Sequence, residues 1–214
     1  MRNLFLTIAL SLASAAAAGA PPRSVEIGYE LAQNGSVMAE VSQRLEHDGR
    51  SYRISETWKG KGILALRGEA VRSSQGAVVA DGLRPQKFED KRPGRETSHA
   101  DFDPAAATPT LLRQDQLSFM WTLAFAPPRD TLTASVADGK RVTSYTYKVA
   151  GRERVQTPAG EFNALKLEKS KNNAGDKATE IWLAIDRQYI PVRILVIDKD
   201  GKRLDQVAAK ISVK

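Results

Sequence analysis

The sequence predicts a mainly-β protein, a curved antiparallel sheet or half-open β-barrel packed around one short α-helix. Three observations lead there. Five turn dipeptides, Asn34-Gly35, Asp48-Gly49, Asp81-Gly82, Asp138-Gly139 and Asp200-Gly201, punctuate the chain, and Asn, Asp and Gly tolerate the positive φ that tight hairpin turns demand. The segments flanking them alternate apolar and polar residues with a period of two, as half-buried strands do. One segment, near 114–126, instead has helical spacing and is apolar almost all round. A strand-rich chain with one such helix buries both by curling the sheet around it.

The N-terminus reads separately. Met1-Arg2-Asn3, the apolar run from Leu4 to Leu12 and the small residues Ala18-Gly19-Ala20 have the charge, length and ending of a secretory leader. Residues 1–20 are therefore expected to be a signal peptide, and 21–214 a single antiparallel β domain. The first strand places Val25, Ile27, Tyr29 and Leu31 on one face, with Glu26, Gly28 and Glu30 between them. After Asn34-Gly35, Val37, Ala39, Val41, Gln43 and Leu45 share a face, and Tyr52, Ile54 and Thr57 follow the next turn. Three meandering antiparallel strands account for this stretch.

Asp103-Pro104 and Thr108-Pro109 mark a loop before the helix. Within the helix, Leu117, Met120, Trp121 and Ala124 recur at three- and four-residue steps, and Phe119, Leu123 and Phe125 widen the stripe. Asp115 falls in the first turn, where its charge suits the helix dipole, and Pro127-Pro128 end the hydrogen-bond ladder. Strands then resume. Thr143, Tyr145, Tyr147 and Val149 form the inward face of one; Leu165 and Leu167 lie on the next; residues 181–185, 192–197 and 204–213 make the last three. The periodicity gives roughly ten strands in all.

Composition bounds the function. The 214 residues are 42% hydrophobic and 27% charged, with a formal net charge of +7, which suits a folded chain attracted to anionic surfaces. Export argues against nucleic acid and points to phospholipid headgroups, lipopolysaccharide phosphates or peptidoglycan carboxylates, although a basic balance also arises without any specific anionic ligand. No cysteine is present to carry a lipoprotein anchor, and no second apolar run approaches the roughly 18 to 20 residues that span a bilayer. The expected location is the periplasm.

Catalytic chemistry is sparsely supplied. There is no cysteine nucleophile, G-x-S-x-G elbow, H-E-x-x-H helix or P-loop, and no cofactor is expected. His47 sits beside a turn and reads as an exposed surface residue. His99, Asp101 and Asp103 at steps of two could hold a metal, although a solvated strand edge gives the same spacing, and no metal site is expected. Arg84, Lys87, Lys91, Arg92 and Arg95 could grip a phosphate or carboxylate, but the intervening Glu89 and Asp90 favour a salt-bridged hairpin. Glu180 and Arg193 read as a cross-strand pair.

The stretches Gly82-Leu83-Arg84-Pro85, Lys87-Phe88-Glu89, Asp115-Gln116-Leu117-Ser118-Phe119, Val136-Ala137-Asp138-Gly139, Thr157-Pro158-Ala159-Gly160 with Phe162, and Glu180-Ile181-Trp182-Leu183-Ala184 leading to Tyr189-Ile190-Pro191-Val192-Arg193, in this order, resemble the domain-of-unknown-function 3108 family of exported bacterial proteins. The resemblance implies a largely antiparallel β fold and supplies no catalytic residues. A more distant likeness to the curved-sheet lipoprotein carriers of the periplasm concerns architecture alone.

The functional expectation is a non-enzymatic periplasmic protein that binds a lipid or other hydrophobic envelope component between sheet and helix. Phe119, Met120, Trp121 and Phe125 are the candidate apolar contacts if the helix does not fill the curved sheet, core packing being their default role, and Arg84, Lys87 and Arg95 are the candidate headgroup contacts. The alternative is an envelope scaffold that adds a partner strand to a sheet edge, its protein partner unidentified. A hydrolase is a third reading if Glu40, Glu56 and Glu69 converge.

Overall fold

A computed structural model describes residues 20–103, 105, 108–171 and 175–214. Residues 1–19 of the expected leader, and Pro104 of the expected loop, lie outside the described residues. Among the described residues thirteen strands form one sheet: β1 (Ser24–Gln33), β2 (Ser36–His47), β3 (Ser51–Gly60), β4 (Ala70–Val79), β5 (Gly82–Lys91), β6 (Ser98–Asp101), β7 (Gln114–Asp115), β8 (Thr131–Ala137), β9 (Val142–Thr157), β10 (Gly160–Lys169), β11 (Ala178–Ala184), β12 (Ile190–Ile197) and β13 (Arg203–Val213). The spatial order is β6-β5-β4-β3-β2-β1-β13-β12-β11-β10-β9-β8-β7. Every pairing is antiparallel except the two-residue bridge of β7 to β8.

All five turn dipeptides lie at hairpins between consecutive strands. At the first, Asn34 and Gly35 have φ of 50° and 87°, the pair of positive values that lets a two-residue turn follow the twist of its strands. Because the strands alternate in direction, the connections β1–β2, β3–β4, β5–β6, β8–β9, β10–β11 and β12–β13 share one rim, called the upper rim below. The two ends of the described chain and the connections β2–β3, β4–β5, β9–β10 and β11–β12 share the lower rim.

The sheet curls into a nearly closed barrel around α1 (Gln116–Phe125). Leu117, Trp121 and Ala124 belong to the larger core cluster, with buried residues of β1–β3, β5 and β9–β13. Phe119 and Leu123 pack toward a second cluster from β8–β11. Two packed flanks explain why the helix is apolar nearly all round.

The helix also closes the seam. Beyond the short β6, the outer edge of β5 is met by side chains rather than by a strand. Thr122 Oγ1 accepts from Leu83 N at 3.1 Å, and Gln114 Nε2 donates to Leu83 O at 2.8 Å. Gly82, with φ of 125°, lies so close that a Cβ there would sit 2.5 Å from Thr122 Cγ2. Asp115 fixes the helix start by capping: its Oδ1 accepts from the backbone N–H of Leu117 and of Ser118, at 2.8 and 2.9 Å. The helix thus begins one residue after Asp115, which is its N-cap rather than a member of its first turn.

Candidate functional site

Period-two alternation brings a polar row inside the barrel. Gln43 on β2 lies opposite Glu56 on β3, Glu56 opposite Arg72 on β4, and Arg72 opposite Asp90 on β5. Gln43, Glu56 and Asp90 are buried, so each needs a partner. Gln43 Nε2 donates to Glu56 Oε2 at 2.9 Å; Glu56 Oε1 accepts from Trp58 Nε1 at 2.6 Å and from Arg72 at 3.1 Å. Arg72 Nε approaches Asp90 at 3.3 Å, and Arg92 grips the same carboxylate, with Nη2 to Oδ2 at 2.6 Å. Burial works against the charge of Asp90, but the hydrogen bonds from Arg92 and the positive charges of Arg72 and Arg92 hold it below the usual carboxylate range.

α1 reads this row from above. Trp121, fully buried, donates its indole N–H to Gln43 Oε1 at 2.8 Å. Between the helix and the row a cleft of about 320 Å³ remains. Its walls are Leu117, Phe119 and Met120 of the helix, with Val136, Tyr147, Ile194 and Val196 of the sheet; its floor is Gln43, Glu56, Trp58 and Arg72. Lys169 and Lys177 stand at its margin toward the upper rim. Lys169 lies 5.4 Å over the Tyr145 ring. Partial burial, with the charges of Lys177 and Lys171, lowers its pKa against the opposing pull of Asp176. An anion placed there would relieve that repulsion.

The predicted site residues scatter. Phe119 and Met120 line the cleft. Trp121 lies behind it, and Phe125 turns to the other end of the helix, its ring 5.0 Å from that of His47. Arg84 is half-buried and Lys87 exposed on β5, with Lys87 paired to Glu89 at 3.1 Å. Arg95 lies on the connection after β5, lining a small recess with Glu96 and Asp138. The structure does not bring these three cations to the cleft; those it places there are Arg72, Lys169 and Lys177.

Other expectations are corrected by register. Arg193 lies opposite Trp182, not Glu180; it forks onto Asp205 at 2.9 and 2.7 Å, while Glu180 meets Lys166 at 3.3 Å. Glu56 points inward, whereas Glu40 and Glu69 lie in exposed pairs with Lys61 and Lys59, so the three carboxylates do not converge. His47 is half-buried rather than exposed, with Nε2 2.9 Å from the Pro21 carbonyl oxygen. His99 and Asp101 share an exposed face of β6, which ends before Asp103. No group of three or more metal-ligating side chains is found among the described residues.

A wider recess of about 570 Å³ at the lower rim is lined by His47, Tyr52, Arg53, Gln75 and Gln86 among others, with no wall from α1. Its polar, open character suits solvent, whereas the helix cleft combines apolar walls with a few convergent polar groups.

A family model described as a protein of unknown function (DUF3108) matches residues 27–207. Among solved structures, a β-barrel-like protein of domain of unknown function DUF1849 from Brucella abortus superposes with a TM-score of 0.56 at 11% identity, over 91% of this chain and 99% of that one. A protein from Parabacteroides distasonis gives a TM-score of 0.40 at 11% identity, over 91% of this chain and 98% of that one. A protein with a YmcC-like fold from Bacteroides fragilis gives 0.43 at 9%, over 90% and 97%. The Brucella likeness shows a shared fold. No curated protein matches the sequence.

Proposed function

The chain belongs to the DUF3108 family, and on that premise we propose that it is a non-enzymatic cell-envelope protein, exported to the periplasm by its leader, that binds an amphipathic ligand in the helix–sheet cleft. The observation that carries this reading is the cleft itself, with an apolar wall from Phe119 and Met120, a hydrogen-bonded polar floor, and two lysines at its margin. Such a site takes an acyl or similar apolar tail against the helix and leaves an anionic head near Lys169 and Lys177. Glu56 and Asp90 are each committed to arginines, an arrangement that favours structure over acid–base work.

Strand addition to a sheet edge has less to support it. The end strands are β6, with four residues, and β7, with two, and the free edge of β5 is already bonded by Gln114 and Thr122. Long unpaired edges are what partner strands use.

Mass spectrometry of an organic extract from gently purified protein tests the ligand, alongside uptake of a fluorescent fatty-acid analogue. Met120 is half-exposed in the cleft wall, so Met120→Trp fills the site without opening the core. The expected result is a stoichiometric amphiphile from the parent protein, and at least about tenfold weaker probe uptake by the folded variant. A clean extract with no probe uptake would overturn the reading.

A further inference from the structure

The upper rim carries an apolar surface that the cleft does not use. The connection from β3 to β4 contains a 3-10 helical turn, Gly62–Arg67, with no buried residue. Its Ile63 and Leu66 are 81% and 86% exposed. The turn is held in place: Lys61 N donates to Met38 O at 2.8 Å, Leu64 N to Lys61 O at 3.1 Å and Gly68 N to Ala65 O at 3.3 Å. Gly60 lets it fold back, because a Cβ there would stand 2.6 Å from the Leu64 carbonyl. A bonded, glycine-framed turn that presents isoleucine and leucine to water calls for an occupant.

The distribution says which one. Of the large hydrophobics exposed among the described residues, Val37, Ile63, Leu66, Val71, Val142 and Leu204 lie at strand ends or connections of the upper rim; only Leu112 and Val213 lie elsewhere. Cations outnumber acids in the upper connections, whereas acids outnumber cations by one in the lower ones. Lys59 and Lys61 pair with Glu69 and Glu40, so the positive surplus comes from other residues, among them Arg67, Lys171 and Lys177. Apolar side chains that share a rim with a surplus of cations match an anionic bilayer, where the first sink to the acyl boundary and the second reach headgroup phosphates. We propose that the upper rim, led by Ile63 and Leu66, docks onto an anionic phospholipid surface.

The same rim lies beside the cleft margin. β3 and β4, which the turn joins, contribute Trp58 and Arg72 to the cleft floor, and Lys169 and Lys177 flank its margin. Docking in this pose sets the cleft against the headgroups, so an amphiphile passes between bilayer and protein without crossing bulk water.

Flotation with vesicles of phosphatidylethanolamine and phosphatidylglycerol, against vesicles of phosphatidylcholine alone, tests the docking. The protein should float with the anionic vesicles only, and added salt should release it. The Ile63→Ser/Leu66→Ser double variant, altered only at exposed side chains, should keep the parent Tm and lose at least about tenfold in vesicle partitioning; Leu112→Ser should partition like the parent. Met120→Trp should still float, which separates this surface from the cleft ligand. Failure of the parent to float with anionic vesicles, or undiminished flotation of the double variant, would overturn the proposal.

Discussion

Asp115 shows how one side chain can carry both a local and a long-range duty. Its carboxylate caps α1 and also accepts from Ser74 Oγ at 2.6 Å, while Ser74 meets the Tyr52 hydroxyl at 3.0 Å. The helix start is thereby tied to β3 and β4. Complete burial raises its pKa from 3.8 to about 6, even though the hydrogen bonds from Ser74, Ser118 and Leu117 pull the other way. Between about pH 4 and pH 6 the native state therefore holds a proton that the unfolded chain has released. Stability contributed by this site is full below about pH 4 and is lost as the pH rises through 6, by up to about 3 kcal/mol for a two-unit shift. Asp115→Asn keeps the capping oxygen and removes the charge. Urea unfolding at a series of pH values should show the variant missing this fall, and matching or exceeding parent stability at pH 7. A variant with the parent's slope over that window would refute the assignment.

At the scale of elements, α1 closes the barrel by acting in place of a strand. Thr122 supplies the acceptor that a neighbouring carbonyl would have given Leu83, and Gln114 supplies the donor. Thr122→Val leaves the Leu83 N–H buried without a partner, a loss of about 1 to 3 kcal/mol. Thr122→Ser restores the hydroxyl and should recover most of it. Hydrogen exchange at Leu83 should quicken in the valine variant and not in the serine one; equal protection in all three proteins would mean the helix does not hold the seam. The helix and the five hairpins were legible because period and turn chemistry are local signals. The inward polar row was half legible. Gln43 falls on the Val41–Leu45 face, but continuing Tyr52 and Ile54 to Thr57 skipped Glu56, which strict alternation puts inside. The cations of the cleft were missed for a different reason. Arg72, Lys169 and Lys177 border one cleft only because the sheet curls β4 toward the β10–β11 hairpin, and no local pattern encodes that approach.

Across the whole molecule, the sheet consists of two meanders, β1 to β6 and β7 to β13, each laid down in sequence order. They join at its middle where β1 pairs with β13, with Val25 opposite Val213 and Ile27 opposite Ile211. This pairing links the two ends of the described chain, and closing so long a loop is costly before any contact rewards it. The two ends of the described chain meet at the lower rim, where Lys214 N donates to Ser24 O at 2.9 Å. A circular permutant that joins Lys214 to the residue before Pro21 through a flexible Gly/Ser linker, and opens the chain between Asp103 and Thr108, would run from β7 through β13 and then β1 to β6. Every antiparallel pairing in the sheet would then be between sequence neighbours, and the longest-range ladder of the parent would become a hairpin. The seam between α1 and β5 would become the distant contact instead, but it rests on a few side-chain bonds rather than a full ladder. The permutant should therefore reach parent stability in urea and refold faster in stopped-flow measurements, because contact order falls while native contacts are kept. Slower refolding at equal stability would place the rate-limiting step at the seam, and would show that capture of α1, rather than the β1–β13 ladder, governs closure of the barrel.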